Sequence, residues 1–209
     1  MRHEVKLAKA IGLDGFSADI LSYQGTHWTR ILTLLQAAQL EGGGFSIMLM
    51  PDMNAALRTN PGQFVPMIET LSKYPAAMRL ADGRLVVSPY MAHLQTPTWW
   101  GNQLAELKRR GIEVALVPLF HNWQAHYLNY DHLSYGVSDW GPRSASSASY
   151  WSTMASKAHS AGLIWMAPVA PQDMRPKNSI YWESRNSEMF RRHWEAAIQG
   201  GADWVQLIT

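Results

Sequence analysis

The stretch Leu104-Ala105-Glu106-Leu107-Lys108-Arg109-Arg110-Gly111-Ile112-Glu113-Val114-Ala115-Leu116-Val117-Pro118-Leu119-Phe120 decides the fold. It begins as an amphipathic helix, stops at a glycine and resumes as a short apolar β-rich run. A glycine just past a helix suits the left-handed position where side chains are strained. The apolar run is too short and too β-branched for a second buried helix, so it reads as a buried strand.

The same unit recurs in both directions. Upstream, Val5–Ile11 is followed by Gly12 and a strand at Gly15–Leu21. A helix carrying Trp28, Ile31, Leu32, Leu35 and Ala38 on one face ends at Gly42-Gly43-Gly44, before a strand at Phe45–Met50. Asn60-Pro61 reads as an N-cap with proline at the first helical position, while Pro66 argues that regular helix begins later. A strand at Leu85–Tyr90 follows. Downstream, a weakly helical segment leads to a strand at His132–Ser138. A helix at Trp151–His159 leads through Gly162 to a strand at Leu163–Pro168. A helix with Phe190, Trp194, Ala197 and Ile198 on one face leads through Gly200-Gly201 to a strand at Trp204–Thr209.

Alternating helices and buried strands predict an α/β fold with a parallel sheet. Seven strands at this spacing favour a (β/α)8 TIM barrel, incomplete, over an open doubly wound sheet. No glycine-rich phosphate loop follows the first strand, which argues against a dinucleotide fold. Residues 1–209 are expected to be a single incomplete barrel domain whose first strand is missing.

Composition narrows the chemistry. Apolar residues make up 47% of the chain and charged residues 16%, as in a globular core-forming protein. A net charge of +2 is too small to argue for nucleic acid. Lys108-Arg109-Arg110 and Arg191-Arg192 read as solvated helix faces. The absence of cysteine excludes disulfides, thiol nucleophiles and zinc–thiolate sites. No apolar run approaches the roughly 18 residues of a membrane span. Ten Trp serve either as core or as platforms for sugar rings.

In a barrel, working residues stand at the C-terminal ends of strands. Those positions bring forward Asp19, Asp52, His93, His121, Trp123, Asp139, Trp140, Trp182, Glu183 and Asn186. Carboxylates, His, Asn and Trp together suit a carbohydrate: hydrogen bonds to hydroxyls and ring faces for stacking. Each has a structural alternative. Asp52 and Asp139 can bond their own backbone after a strand. His93 and His121 fit ordinary loop positions, and Glu183 a solvated one. Trp99 and Trp100 fit core or platform, and Trp165 reads as core. His121, His126 and Asp139 raise a metal reading, but no His-x-His pair or His-Glu-x-x-His helix supports it. No Gly-x-Ser-x-Gly elbow appears. No metal or cofactor is called for.

Colinear stretches resemble glycoside hydrolase family 71, the α-1,3-glucanases or mutanases. Leu7-Ala-Lys-Ala-Ile-Gly-Leu-Asp-Gly-Phe16 resembles the family's opening. Asp52-Met53 resembles its Phe-Asp-Met strand end, with Pro51 in place of Phe. Gly83-Arg-Leu-Val-Val-Ser88 and Arg110-Gly-Ile-Glu-Val114 through Val117-Pro118 resemble further strands. Tyr181-Trp-Glu-Ser-Arg-Asn186 lies where the family has a Trp-Arg-Ser/Asn loop, and Ala202–Thr209 resembles Pro-Asp-Phe-Val-Glu-Ile-Ile-Thr. Two rims depart: Pro89–His93 lacks Phe-Glu-Gly, and Ala18-Asp19 replaces Leu-Asn.

The resemblance implies an endo-acting enzyme that cleaves α-1,3-glucan by inversion, with the ten rim residues as substrate cleft. In the family, Ile-Thr runs into Trp-Asn-Asp-Tyr-x-Glu, whose Asp and Glu are the acid pair. The catalytic residues are therefore expected just beyond Thr209, and residues 1–209 alone are expected to be inactive. The implied partner is an α-glucan polysaccharide or oligosaccharide, met by a monomer outside the cell or in its envelope. Two alternatives stand beside this: an α-mannoside-acting barrel hydrolase, suggested by the altered third rim, and a non-catalytic carbohydrate-binding barrel.

Overall fold

The computed structural model describes residues 1–209 apart from Pro142, Arg143, Pro176, Asn178 and Thr209. The chain forms two compact units, Met1–Pro118 and Leu119–Thr209. Both are α/β with parallel four-stranded sheets. No described helix is long and apolar enough to cross a membrane.

The first unit runs α1 (Arg2–Ala10), β1 (Gly15–Ile20), α2 (Gly25–Glu41), β2 (Ser46–Pro51), α3 (Ala56–Thr59), α4 (Phe64–Leu71), β3 (Leu85–Val87), α5 (Pro97–Arg109) and β4 (Val114–Leu116). Its strands lie side by side in chain order, all parallel. Helix α5 starts where Thr96 accepts a hydrogen bond from the Trp99 N–H (3.1 Å), with Pro97 inside the first turn. It ends at Gly111, φ 78°, a conformation that costs glycine little. Trp100 is wholly buried against Phe64 (5.2 Å between centroids), and its indole N–H donates to the Ala92 carbonyl (3.0 Å).

Proline shortens two predicted strands. The third stops at Val87 rather than Tyr90, because Pro89 has no N–H for the ladder; Tyr90 rejoins only as an isolated bridge to Asp52. The fourth is cut at Val117-Pro118 into β4 and a separate β5 (Leu119–Phe120), which belongs to the second unit. Asn60 makes no side-chain cap: Pro61–Gln63 form a 3-10 turn, and α4 begins after it.

The second unit continues with β6 (Gly136–Asp139), α6 (Ala148–Trp151), α7 (Met154–Ser160), β7 (Ile164–Val169), β8 (Asp173–Arg175), β9 (Ile180–Trp182), α8 (Glu188–Gln199) and β10 (Trp204–Leu207). Its parallel sheet has the order β10-β7-β6-β5. The predicted strand at His132–Ser138 begins only at Gly136, since Asp131–Leu133 coil into a 3-10 turn whose His132 N–H is held by the Asp131 carboxylate (2.6 Å). The last strand is described through Leu207; Thr209, its expected end, lies outside the described residues. The segment after β7, expected to be loop, carries the antiparallel hairpin β8–β9. The apolar face of α8 is also turned from the expected one. Met189, His193, Ala196 and Ala197 are buried, and Ile198 is 70% exposed.

The core of this unit is a tryptophan cluster. Trp123, Trp151 and Trp165 are at most 1% exposed, with Trp165 centred 4.9 Å from Trp123 and 6.2 Å from Trp151. Asp203 clips β10 to β7 by accepting from the Trp165 N–H and pairing with His159, both at 2.8 Å. Replacing Trp165 by Ala is expected to cost about 3–5 kcal/mol in denaturant unfolding. The same change at exposed Trp182 is expected to cost about 0.5 kcal/mol or less.

Candidate functional site

In the first unit, β1 pairs with β2 from Gly15↔Ser46 to Ile20↔Pro51. The ladder continues as the Asp52 N–H donates to the Ile20 carbonyl (3.1 Å). Side chains alternate along a strand, and partners in register share a face. Ser17 and Asp19 therefore look the same way as Met48, Met50 and Asp52, while Ala18 and Ile20 are buried on the other side. Leu49↔Val87 carries this face onto the next strand and adds Ser88 beside Met50. The bridge Asp52↔Tyr90 adds Tyr90.

Two carboxylates thus share one rim. Asp19 keeps an exposed surface, yet desolvation and the neighbouring Asp52 charge push its carboxyl up to about 6, against a smaller pull from His27. Asp52 is largely buried, and desolvation raises its pKa, partly offset by the backbone of Asn54 and Ala55. Its carboxylate accepts from the Asn54 N–H (2.7 Å), the local turn that aspartate favours after a strand. Asp52 is therefore both a turn former and a member of the pair. His93 lies half-buried in the turn Ala92–Leu94, after Met91 at φ 53°.

The second unit treats its rim residues differently. Asp139 shares a face with Val137, Trp165 and Ala167, opposite Ser138. This is the face of the tryptophan cluster. Its carboxylate accepts from the Gly141 N–H (3.1 Å) and is held by the backbone of Asn122, Trp123 and Trp140. Desolvation still pushes it up to about 6. Asp139 is 1% exposed and organises the loops around it. A side chain at Gly141 would sit 2.4 Å from the Trp151 ring, so this carboxylate and that indole leave room only for glycine. Trp123, expected as a sugar platform, is fully buried and belongs to the core; its ring is enclosed by Trp165 and by Tyr127 (4.5 Å). His121 is exposed and Trp140 half-buried.

The hairpin brings Trp182 and Glu183 together. Both line a cavity of about 380 Å³ with Ser144, Ser146, Tyr181, Arg185 and Arg192. Tyr181 and Trp182 are 60% and 45% exposed there. Asn186 is also exposed and lies in the run Arg185, Asn186, Ser187, all at positive φ (47°, 53° and 67°). Non-glycine residues there cost about 1–2 kcal/mol each. Only the asparagine hints at this in the sequence.

Sequence reasoning also missed His193. It is 1% exposed, and its Nδ1 accepts from the Ala170 N–H (3.3 Å). That leaves Nε2 as the donor, toward the Ser144 carbonyl (2.8 Å) and Ser147 Oγ (3.1 Å). Ser147 in turn donates to the Ser144 carbonyl (2.6 Å), so this Ser–His contact braces a loop and does not prime a nucleophile. Burial lowers the His193 pKa and keeps the ring neutral. No three His, Asp or Glu side chains converge as a metal site among the described residues.

The model of the family described as Glycosyl hydrolase family 71 matches residues 1–209. A GH99 endo-alpha-mannosidase from Bacteroides thetaiotaomicron, in complex with BIS-TRIS-propane, shares 18% identity at a TM-score of 0.79, covering 99% of this chain and 68% of that one. A second GH99 endo-alpha-mannosidase structure from that organism shares 17% identity at a TM-score of 0.80, covering 99% of this chain and 65% of that one. At such identities the likeness is one of fold. No curated protein sequence matches the chain.

The raised Asp19 pKa has a consequence for stability. Its folded value of about 6 lies above the ordinary 3.8, so ionisation opposes folding. Its contribution is fully present below about 4, declines as pH rises through 6 and is level beyond. Asp19→Asn is expected to stabilise the protein at pH 8 by about 1 kcal/mol after solvent screening, with the gain gone by about pH 4. Urea unfolding at the two pH values measures this.

Proposed function

The chain belongs to glycosyl hydrolase family 71, and from that premise we propose that the protein is an endo-acting hydrolase that cleaves α-1,3-glucan with inversion. The observation that carries this reading is the family match over residues 1–209, which makes the protein a glycoside hydrolase. The finer statement draws on the family-like stretches from Leu7 to Ala202 onward. Each unit has features that support a carbohydrate ligand: facing carboxyls at Asp19 and Asp52 in the first, and exposed rings at Tyr181 and Trp182 in the second. The fold proposed with it is a single (β/α)8 barrel domain, incomplete within these residues, and the likeness to the two solved hydrolases supports it. A monomer acting outside the cell or in its envelope suits a polymeric substrate.

Inversion needs a carboxylic acid at the glycosidic oxygen and a carboxylate that activates water on the opposite face of the ring. One carboxyl must keep its proton near neutrality, through burial or a neighbouring charge. The remaining rim groups then hold the rings on either side of the bond being cut.

A second reading has its own support. The two similar solved structures named above are endo-alpha-mannosidases, and the rim from Pro89 to His93 departs from the glucanase pattern. That reading makes the substrate an α-mannoside.

Proton NMR of the full-length protein acting on α-1,3-glucan tests the proposal. The first reducing ends released are expected as the β anomer. Release of the α anomer would overturn the mechanism. Cleavage of α-mannan with none of α-1,3-glucan would select the second reading.

A further inference from the structure

Asp19 and Asp52 stand apart from the other rim acids. Several exposed acids elsewhere pair with cations, as Asp82 does with Arg84 and Glu106 with Arg109 and Arg110. Asp139 is saturated by backbone N–H groups. Asp19 instead receives no hydrogen bond from a described residue and faces another carboxylate. Asp52 spends one oxygen on Asn54.

A second observation points to a ligand on this face. Ser88 is fully buried, and its hydroxyl has no hydrogen-bond partner among the described residues. Register places it beside Met50, on the face that carries Asp19 and Asp52. A buried hydroxyl without a partner costs free energy that a polar ligand can recover.

We propose that Asp19 and Asp52 form a donor–acceptor pair, one carboxyl protonated and the other ionised, that grips a vicinal diol of a pyranose ring. The inference rests on the glycan reading above. Each sugar hydroxyl is both donor and acceptor. Asp52, whose carboxyl already accepts from the Asn54 N–H, accepts from one hydroxyl. Asp19, with its proton, donates to the next. Hydrogen bonds to a charged carboxylate are the stronger kind, so this arrangement orients the ring. Two ionised carboxylates would repel each other and offer no donor. Burial raises the pKa of each group, and the Asp52 charge raises that of Asp19 further, which favours a proton on Asp19. Other titratable or charged groups lie near the pair among the described residues. His27 opens α2 and bears on Asp19. Tyr90 bridges to Asp52, and His93 lies in the turn beyond it. Arg58, on α3, hydrogen-bonds to Asn54 (2.9 Å).

Calorimetric titration with α-1,3-linked glucotetraose and with α-mannotetraose, at pH 5 and pH 8, tests the pair. Wild-type affinity for one of the two is expected to fall about tenfold between these pH values, the upper worth of one neutral hydrogen bond. Asp19→Asn, whose amide donates at every pH, is expected to bind equally at both. Asp19→Ala is expected to lose about tenfold at pH 5. Binding that is flat with pH in the wild type, or unchanged in Asp19→Ala, overturns the proposal while leaving the glycan reading intact. Failure of both sugars to bind at any pH counts against the glycan reading itself. In that event carbon-13 NMR of the carboxyls decides on the pair: staggered, coupled titration upholds it, and two independent titrations near 3.8 overturn it.

Discussion

The register of β1 on β2 is the constraint on which the site depends. Gly15 lies so close to Ser46 that a side chain there would sit 2.2 Å from the Ser46 carbonyl oxygen. The Ser46 N–H is held by the Asp14 carbonyl (3.0 Å) at one end, and the Asp52 N–H by Ile20 (3.1 Å) at the other. Because side chains alternate, a slip of one residue would send Asp19 to the buried side and bring Ala18 or Ile20 to the rim. This ladder holds the two aspartates on one face. Desolvation raises the pKa of both, and the Asp52 charge adds to the rise at Asp19.

Asp52 and Asp139 show how little the residue type decides. Each ends or follows a strand, and each accepts a hydrogen bond from the backbone N–H two residues on, at Asn54 and Gly141. Each is mostly removed from water. One position of strand phase separates their fates. Asp52 looks with Met50 toward another carboxylate, whereas Asp139 looks with Val137 and Trp165 into an aromatic core. The first faces Asp19, and the second is spent on clamping loops through backbone N–H groups.

The sequence made the alternation of helices and parallel strands legible because glycine and apolar periodicity are local signals. Gly111 and Gly201 end their helices at φ 78° and 76°, as their positions suggested. Other features depend on tertiary context. Pro118 was visible in the sequence, yet that it would divide a strand between two compact units was not. The face of α8 was misread because Phe190, Trp194 and Ile198 outweigh Met189 and His193 on any apolar scale, and the loop at Ser144–Ser147 buries the histidine through hydrogen bonds that no periodicity shows. Trp123 looked like a platform at a strand end. Only the convergence of Trp151 and Trp165, distant in sequence, encloses it. The pairing of Asp19 with Asp52 was equally out of reach, since it is set by strand register. The hairpin at β8–β9 escaped because its strands are short and its turn lacks the Asn-Gly or Asp-Gly signal.

The central claim is that the face carrying Asp19 and Asp52 holds a glycan. A crystal structure of the protein soaked with α-1,3-linked gluco-oligosaccharide tests it most directly. The account predicts a pyranose ring with adjacent hydroxyls within hydrogen-bond reach of both carboxyls, on the face turned away from Ala18 and Ile20. Density confined to the Tyr181–Trp182 cavity, or to the buried side of that sheet, would contradict it.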